Sequence, residues 1–193
     1  MADKIILTDC DGVLLDWESK FQTFAERLGF RFNPARISSY SIGEQYGISR
    51  EESLELIEKF NRSSDFEHLE PWRDAKPVVQ RLAEEGWRFV VITTAGDHPW
   101  THGLRWSNLE RVFGENVFNS LHVLPIHGDK GTELVKYKDT GYLWIEDKPE
   151  NAELGYKFGL RPILMNAPHN KNYYKGLAPR VNTWEDIYRF INQ

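Results

Sequence analysis

The stretch IILTDCDGVLLDW, residues 5–17, sets three carboxylates, Asp9, Asp11 and Asp16, against an apolar run. A charge left uncompensated at the edge of a core is costly, so carboxylates gathered there need a cation or a chemical task. Further residues able to do chemistry close later apolar runs. Thr93-Thr94-Ala95-Gly96 follows RFVVI, His127-Gly128-Asp129-Lys130-Gly131 follows LHVLPI, and Glu146-Asp147-Lys148-Pro149 follows GYLWI.

These residues converge only if the apolar runs are neighbouring strands, and the chain reads that way. Short apolar runs at residues 4–8, 88–93, 121–125, 142–146 and 161–165 alternate with segments of helical period, the pattern of an α/β parallel sheet with helices on both faces. Val78, Val79, Leu82 and Ala83 share one helical face, and Trp106, Leu109 and Phe113 share another. Trp184, Ile187, Tyr188 and Ile191 form a last helix behind a cap at Asn182 or Thr183. Residues 17–75 interrupt the alternation with helical patterns such as Phe21, Phe24, Ala25 and Leu28, and read as a helical insertion after the first strand. In open α/β sheets ligands bind beyond the carboxyl ends of the strands, so an insertion leaving there can cover the site. Pro71 and Pro77 mark the return to the core.

The 193 residues suit one domain with a modest insertion, and a formal net charge of -5 argues against a general binder of nucleic-acid backbone. A local positive site for a small anion remains compatible with that balance. No apolar run approaches the roughly 18–20 residues of a membrane span, so a soluble cytoplasmic protein is the expectation. Cys10 is the only cysteine, which rules out an internal disulfide and a cysteine cluster for zinc.

The four strand-end motifs, in this order, resemble those of the haloacid dehalogenase superfamily of phosphotransferases. Within it, DGVLLDW, the helical insertion, GEQYG at residues 43–47 and FEHLEP at residues 66–71 resemble the 5'(3')-deoxyribonucleotidases. The resemblance implies a Rossmann-like core, residues 1–16 and 76–193, and a small helical cap, residues 17–75. It implies that Asp9 is the nucleophile, forming an aspartyl-phosphate, and that Asp11 is the general acid and then base. It further implies magnesium, held by Asp9, the backbone carbonyl of Asp11 and Asp147, with Glu146 behind them; an all-oxygen set suits that ion.

By the same analogy Thr93 would bond a phosphoryl oxygen, assisted by Thr94. A lysine would neutralise charge on the nucleophile and the phosphoryl group. Lys130 is preferred over Lys136 and Lys138 because it lies nearest a strand end. Trp17, Tyr46 and Phe66 are expected to wall the sugar and base. One departure stands in the turn Asp97-His98-Pro99, where the related nucleotidases often carry a basic residue beside the phosphate. The polar loop at residues 166–176 reads as a surface connection.

The expected protein is therefore a magnesium-dependent phosphatase of (deoxy)nucleoside monophosphates. Its partner is a small phosphorylated substrate, with no membrane and no nucleic-acid polymer, and a homodimer is allowed for. A phosphatase of another small ester, such as a sugar phosphate, and a non-catalytic binding protein of the same fold are the alternatives.

Overall fold

The computed structural model describes residues 4–173 and 175–193. Tyr174, inside the polar loop singled out above, lies outside the described residues.

Six parallel strands form one sheet in the order β3-β2-β1-β4-β5-β6. They are β1 (Ile5–Thr8), β2 (Arg88–Thr93), β3 (Phe118–Val123), β4 (Leu143–Glu146), β5 (Arg161–Met165) and β6 (Arg180–Val181). The chain builds outward from β1 through β2 to β3, then crosses to the other side of β1 for β4. The strand order thus reverses between β1 and β4, where crossovers leave in opposite directions and a crevice opens. β1, β2 and β4 read as unbroken apolar runs because both faces of each are covered.

The helices are α1 (Trp17–Arg27), α2 (Ile42–Tyr46), α3 (Arg50–Asn61), α4 (Ala75–Glu84), α5 (Pro99–Phe113), α6 (Gly131–Leu134), α7 (Pro149–Lys157) and α8 (Trp184–Ile191). α4 buries Ala75, Val78, Val79 and Leu82, the face its spacing predicts, and Thr183 caps α8 through a box with Asp186. Four helices, α1 to α4, stand between β1 and β2, and the first three form the insertion. Their apolar stripes close on an aromatic cluster in which Phe21 meets Trp17, Tyr46 and Phe60 at ring-centroid distances of 4.4, 5.7 and 5.4 Å. Chain leaving and chain returning run side by side: Asp16 donates its backbone N–H to Glu70 at 2.8 Å, and Trp72 donates to Leu14 at 2.8 Å.

Two elements differ from the sequence reading. β3 begins at Phe118, ahead of the expected residue 121, because Phe118 packs against Phe89 and Phe113 across an irregularity in the ladder. It ends at Val123; Pro125 has no N–H to continue it. β6 was not expected, since two residues carry no legible periodicity. Arg180 and Val181 are recruited by pairing with Leu164 and Met165.

Candidate active site

β1 stops at Thr8, and Asp9 continues its ladder for one more bond, donating N–H to the Ile145 carbonyl at 2.8 Å. The chain then folds on itself, with Leu14 and Leu15 both donating to the Cys10 carbonyl. From behind, Trp184 of α8 donates its indole N–H to Val13 at 2.7 Å, so the last helix pins the turn. The third carboxylate of the opening stretch, Asp16, turns away to cap α1 through Ser19 N–H. Asp9 and Asp11 remain at the crevice.

Lys130 is buried immediately before α6, where Asp129 turns the chain by accepting Gly131 N–H at 2.8 Å. Its Nζ lies 2.7 Å from Asp9 Oδ1 and 2.7 Å from Glu146 Oε1. Lys136 pairs with Glu133, and Lys138 lies 4.0 Å from Asp139, both in exposed positions. Of the three lysines weighed from sequence, Lys130 is the one the fold brings to the carboxylates.

Glu146 is fully buried and spends both oxygens on hydrogen bonds, from Lys130, Asn151 and the backbone N–H groups of Asp147 and Lys148. Asp147 beside it is held by its backbone: its carbonyl accepts from Asn170 Nδ2 at 2.6 Å, and His169 Nε2 lies 3.1 Å away. Part of the polar loop read as a surface connection therefore reaches the site. Thr93 is buried at the end of β2, and Thr93 and Thr94 line the same cavity as Asp9, Asp11 and Asp147.

Carboxylate oxygens of Asp9, Glu146 and Asp147 lie within 4.8 Å of one another. Burial pushes the Asp9 carboxyl up to about 7, with Lys130 pulling the other way and Glu146 adding to the rise. Asp147 is raised well above the ordinary carboxylate range, first by burial, then by Glu146 and Asp9. Glu146 is held below its usual value: burial would raise it, but Lys130 and the surrounding donors outweigh that. One lysine thus faces more negative charge than it can balance, and the donors are all hard oxygens. That set fits a divalent cation of the magnesium type.

Gly12 explains how the first turn comes so close. Its φ is +73°, and a Cβ there would stand 2.6 Å from Asp147 Oδ2. Gly12→Ala is expected to displace Asp147, weaken metal-dependent activity at least about tenfold and cost about 1–2 kcal/mol through the backbone alone. A magnesium titration of activity beside a thermal melt checks both; an unchanged midpoint in each would remove glycine's role.

A cavity of about 450 Å³ opens over these groups. Trp17 lines it, stacked on Phe21 and donating Nε1–H to Asn61 Oδ1 at 2.9 Å. Asn61 in turn donates to the Ala95 carbonyl at 2.9 Å, just past β2. One buried amide therefore ties α1 and α3 to the turn after Thr93 and Thr94. Asn61→Ala leaves two buried polar partners unmet and is expected to cost about 1–3 kcal/mol. Hydrogen exchange should quicken in α1 and α3 ahead of the sheet; uniform exchange would contradict the tie.

Tyr46 and Phe66 correct the sequence reading, since neither is among the residues lining the cavity. Tyr46 packs its ring against Phe21 and Phe32, and Phe66 is fully buried against Phe60. Their aromatic surface is spent on the core beneath the cavity. Tyr40 takes the wall instead, with Lys148 Nζ 4.5 Å from its ring centroid and the His169 ring at 5.2 Å. Arg50 and Lys148 also line the cavity, giving its wall a cationic side that sequence reading missed; His127 lines it too, pushed toward its neutral form by burial and by those two cations. In the turn without a basic residue, His98 caps α5 by accepting Trp100 N–H at 3.3 Å. The most consequential omission is Arg105: its Nη2 lies 2.7 Å from Asp11 Oδ1.

A family model described as 5' nucleotidase, deoxy (pyrimidine), cytosolic type C protein matches residues 3–193. An uncharacterized 32.4 kDa protein in the Gp30-rIII intergenic region of Enterobacteria phage T4 is 28% identical over 190 residues, spanning 94% of this chain and 67% of that protein. Among solved structures, a predicted phosphatase from Clostridium acetobutylicum has a TM-score of 0.70 at 15% identity, covering 100% of this chain and 99% of its own. CbbY from Rhodobacter sphaeroides in complex with phosphate has 0.64 at 13%, covering 96% of each chain. A protein described as a haloacid dehalogenase-like hydrolase from Bacteroides fragilis has 0.67 at 16%, covering 96% and 99%. At these identities the likeness to solved structures is one of fold.

Proposed function

The chain belongs to the family of 5' nucleotidase, deoxy (pyrimidine), cytosolic type C proteins, on the fold of the haloacid dehalogenase superfamily, and from that premise we propose that it is a magnesium-dependent phosphatase of deoxynucleoside and nucleoside monophosphates. The observation that carries the reading is Lys130, buried and bridging Asp9 and Glu146 at the floor of a covered cavity. A lysine so placed pulls the Asp9 carboxyl back toward its charged form, offsetting part of the effect of burial, and leaves Asp9 Oδ2 free of the bonds that occupy Oδ1.

Asp9 attacks phosphorus, and an Asp9–phosphorus bond forms as the ester bond breaks. Asp11 gives its proton to the leaving oxygen, then takes one from the water that cleaves the aspartyl-phosphate. Thr93 and Thr94 hold phosphoryl oxygens. Magnesium, held by Asp9, the Asp11 carbonyl and Asp147, would supply the charge that lets a phosphate dianion sit beside these carboxylates. Glu146 holds Lys130 and the start of α7 in place. Residues 1–16 and 76–193 act as the catalytic core and residues 17–75 as its cap, where Trp17 and Tyr40 offer flat surfaces to the sugar and base.

The test is phosphate release from a panel of deoxynucleoside, nucleoside and sugar monophosphates, with magnesium and with chelator. Magnesium-dependent turnover led by nucleotides supports the reading. Turnover confined to sugar phosphates overturns the nucleotide and keeps the chemistry; silence across the panel overturns both.

A further inference from the structure

Arg105 sits on the buried face of α5, and its side chain has 0% exposure. Its guanidinium lies over the Phe66 ring at 4.0 Å. One nitrogen, Nη2, faces both oxygens of Asp11, at 2.7 Å from Oδ1 and 2.9 Å from Oδ2. Its other two nitrogens, Nε and Nη1, are buried without a hydrogen-bond partner among the described residues. Asp11 keeps 26% side-chain exposure and lines the cavity; its Oδ2 accepts the hydrogen bond from Arg105, while its buried Oδ1 meets the guanidinium as an ion pair only.

As a stabilising device this is a poor arrangement. Burying a guanidinium is costly, and each unmet buried donor adds to that cost. The same helix face carries Leu109 and Val112, so an apolar side chain would suit the packing. The arginine also makes its charge-pair contact with one particular carboxylate, 94 residues away in sequence. The neighbouring acids are served otherwise, Asp9 and Glu146 by Lys130.

We propose that Arg105 is the positioning residue for Asp11. Clamped between the Phe66 ring and the carboxylate, it fixes the Asp11 side chain so that an oxygen faces the leaving atom in the first half-reaction and the incoming water in the second. Phe66, assigned from sequence to the substrate wall, acts here as the plate on which the guanidinium rests. The inference rests on the acid–base role given to Asp11 above. It adds a residue outside the four strand-end motifs.

Proton delivery matters only when the leaving group needs it, and that gives the test. A 4-nitrophenolate ion departs without a proton, whereas the alkoxide of a nucleoside does not. Because kcat/KM reports the steps through formation of the aspartyl-phosphate, the water-activation half does not enter it. In Arg105→Met, kcat/KM for the nucleotide is expected to fall about 10²-fold, and for 4-nitrophenyl phosphate less than about fivefold. Asp11→Asn should show the same split, and Arg105→Lys, which keeps the charge without the planar fork, an intermediate one.

Equal losses for the two esters in Arg105→Met, beside a split in Asp11→Asn, overturn the positioning role and leave the Asp11 reading standing. No split in Asp11→Asn, or no wild-type turnover of either ester, sinks the Asp11 reading and this one with it. Should the methionine protein fail to fold, by circular dichroism, the lysine protein decides: a nucleotide-selective loss supports the role, and an equal loss or none overturns it.

Discussion

Asp9→Asn is expected to lower phosphate release by about 10⁴-fold or more while leaving the protein folded. The amide keeps the volume and an oxygen for Cys10 N–H and Lys130 to meet, and Lys130 retains Glu146 at 2.7 Å. What it loses is the nucleophile, since an amide oxygen cannot form an acyl phosphate that water then opens at a useful rate. Removing one of three crowded carboxylates also lowers local repulsion, so the melting temperature should hold or rise. Single-turnover assays with magnesium beside a thermal melt separate the two effects. Retention of more than about a hundredth of wild-type activity by a folded variant would end the covalent mechanism, because acid–base catalysis and positioning alone would then be carrying it.

How much of this was legible in the sequence depended on whether the signal was local. The strand ends were, because an apolar run that stops at a carboxylate or hydroxyl marks both the strand and its functional end, as at Thr8-Asp9 and Ile145-Glu146. Lys130 was found by its position between a strand end and a helix start, which the fold reproduces. Arg105 had no such mark. A charge within a helical pattern reads as solvated, and its partner lies on another element.

Two of the three aromatic assignments, Tyr46 and Phe66, missed the cavity for a related reason. Tyr46 and Tyr40 are interchangeable to any local rule, and only the packing of α2 against Phe21 sends one inward and leaves the other at the cavity. Asn61 and His169 belong to the same class, polar residues whose importance is set by what the tertiary fold places opposite them. Sequence spacing thus carried the chemistry along each strand. The contacts that orient it across elements had to be seen.

The Asp147→Asn protein is expected to be more stable than the parent without metal and to gain nothing when magnesium is added. Two unit charges 4.8 Å apart repel by about 3 kcal/mol at an effective dielectric constant of about 20. Asp147 meets Asp9 and Glu146 at no more than that distance, with Lys130 offsetting part of the repulsion. A net gain of about 1–3 kcal/mol follows, or about 3–10 °C in a chain of this size.

The sign of the pH dependence follows from the same crowding. Asp9 and Asp147 have folded-state values raised above their unfolded ones, so they favour the fold fully below about pH 4 and lose that contribution as pH rises through the folded values, about 7 for Asp9. Metal-free wild-type protein should therefore soften from about pH 4 upward, and Asp147→Asn should soften less. Magnesium reverses the order, because a cation that binds only the folded state stabilises it by about 2.7 kcal/mol at a hundred times its dissociation constant. Melts at pH 8 with chelator and with magnesium give four temperatures. The reading requires the variant to lead in chelator and the parent to catch or pass it in magnesium; an equal magnesium shift in both proteins would take Asp147 out of the metal site.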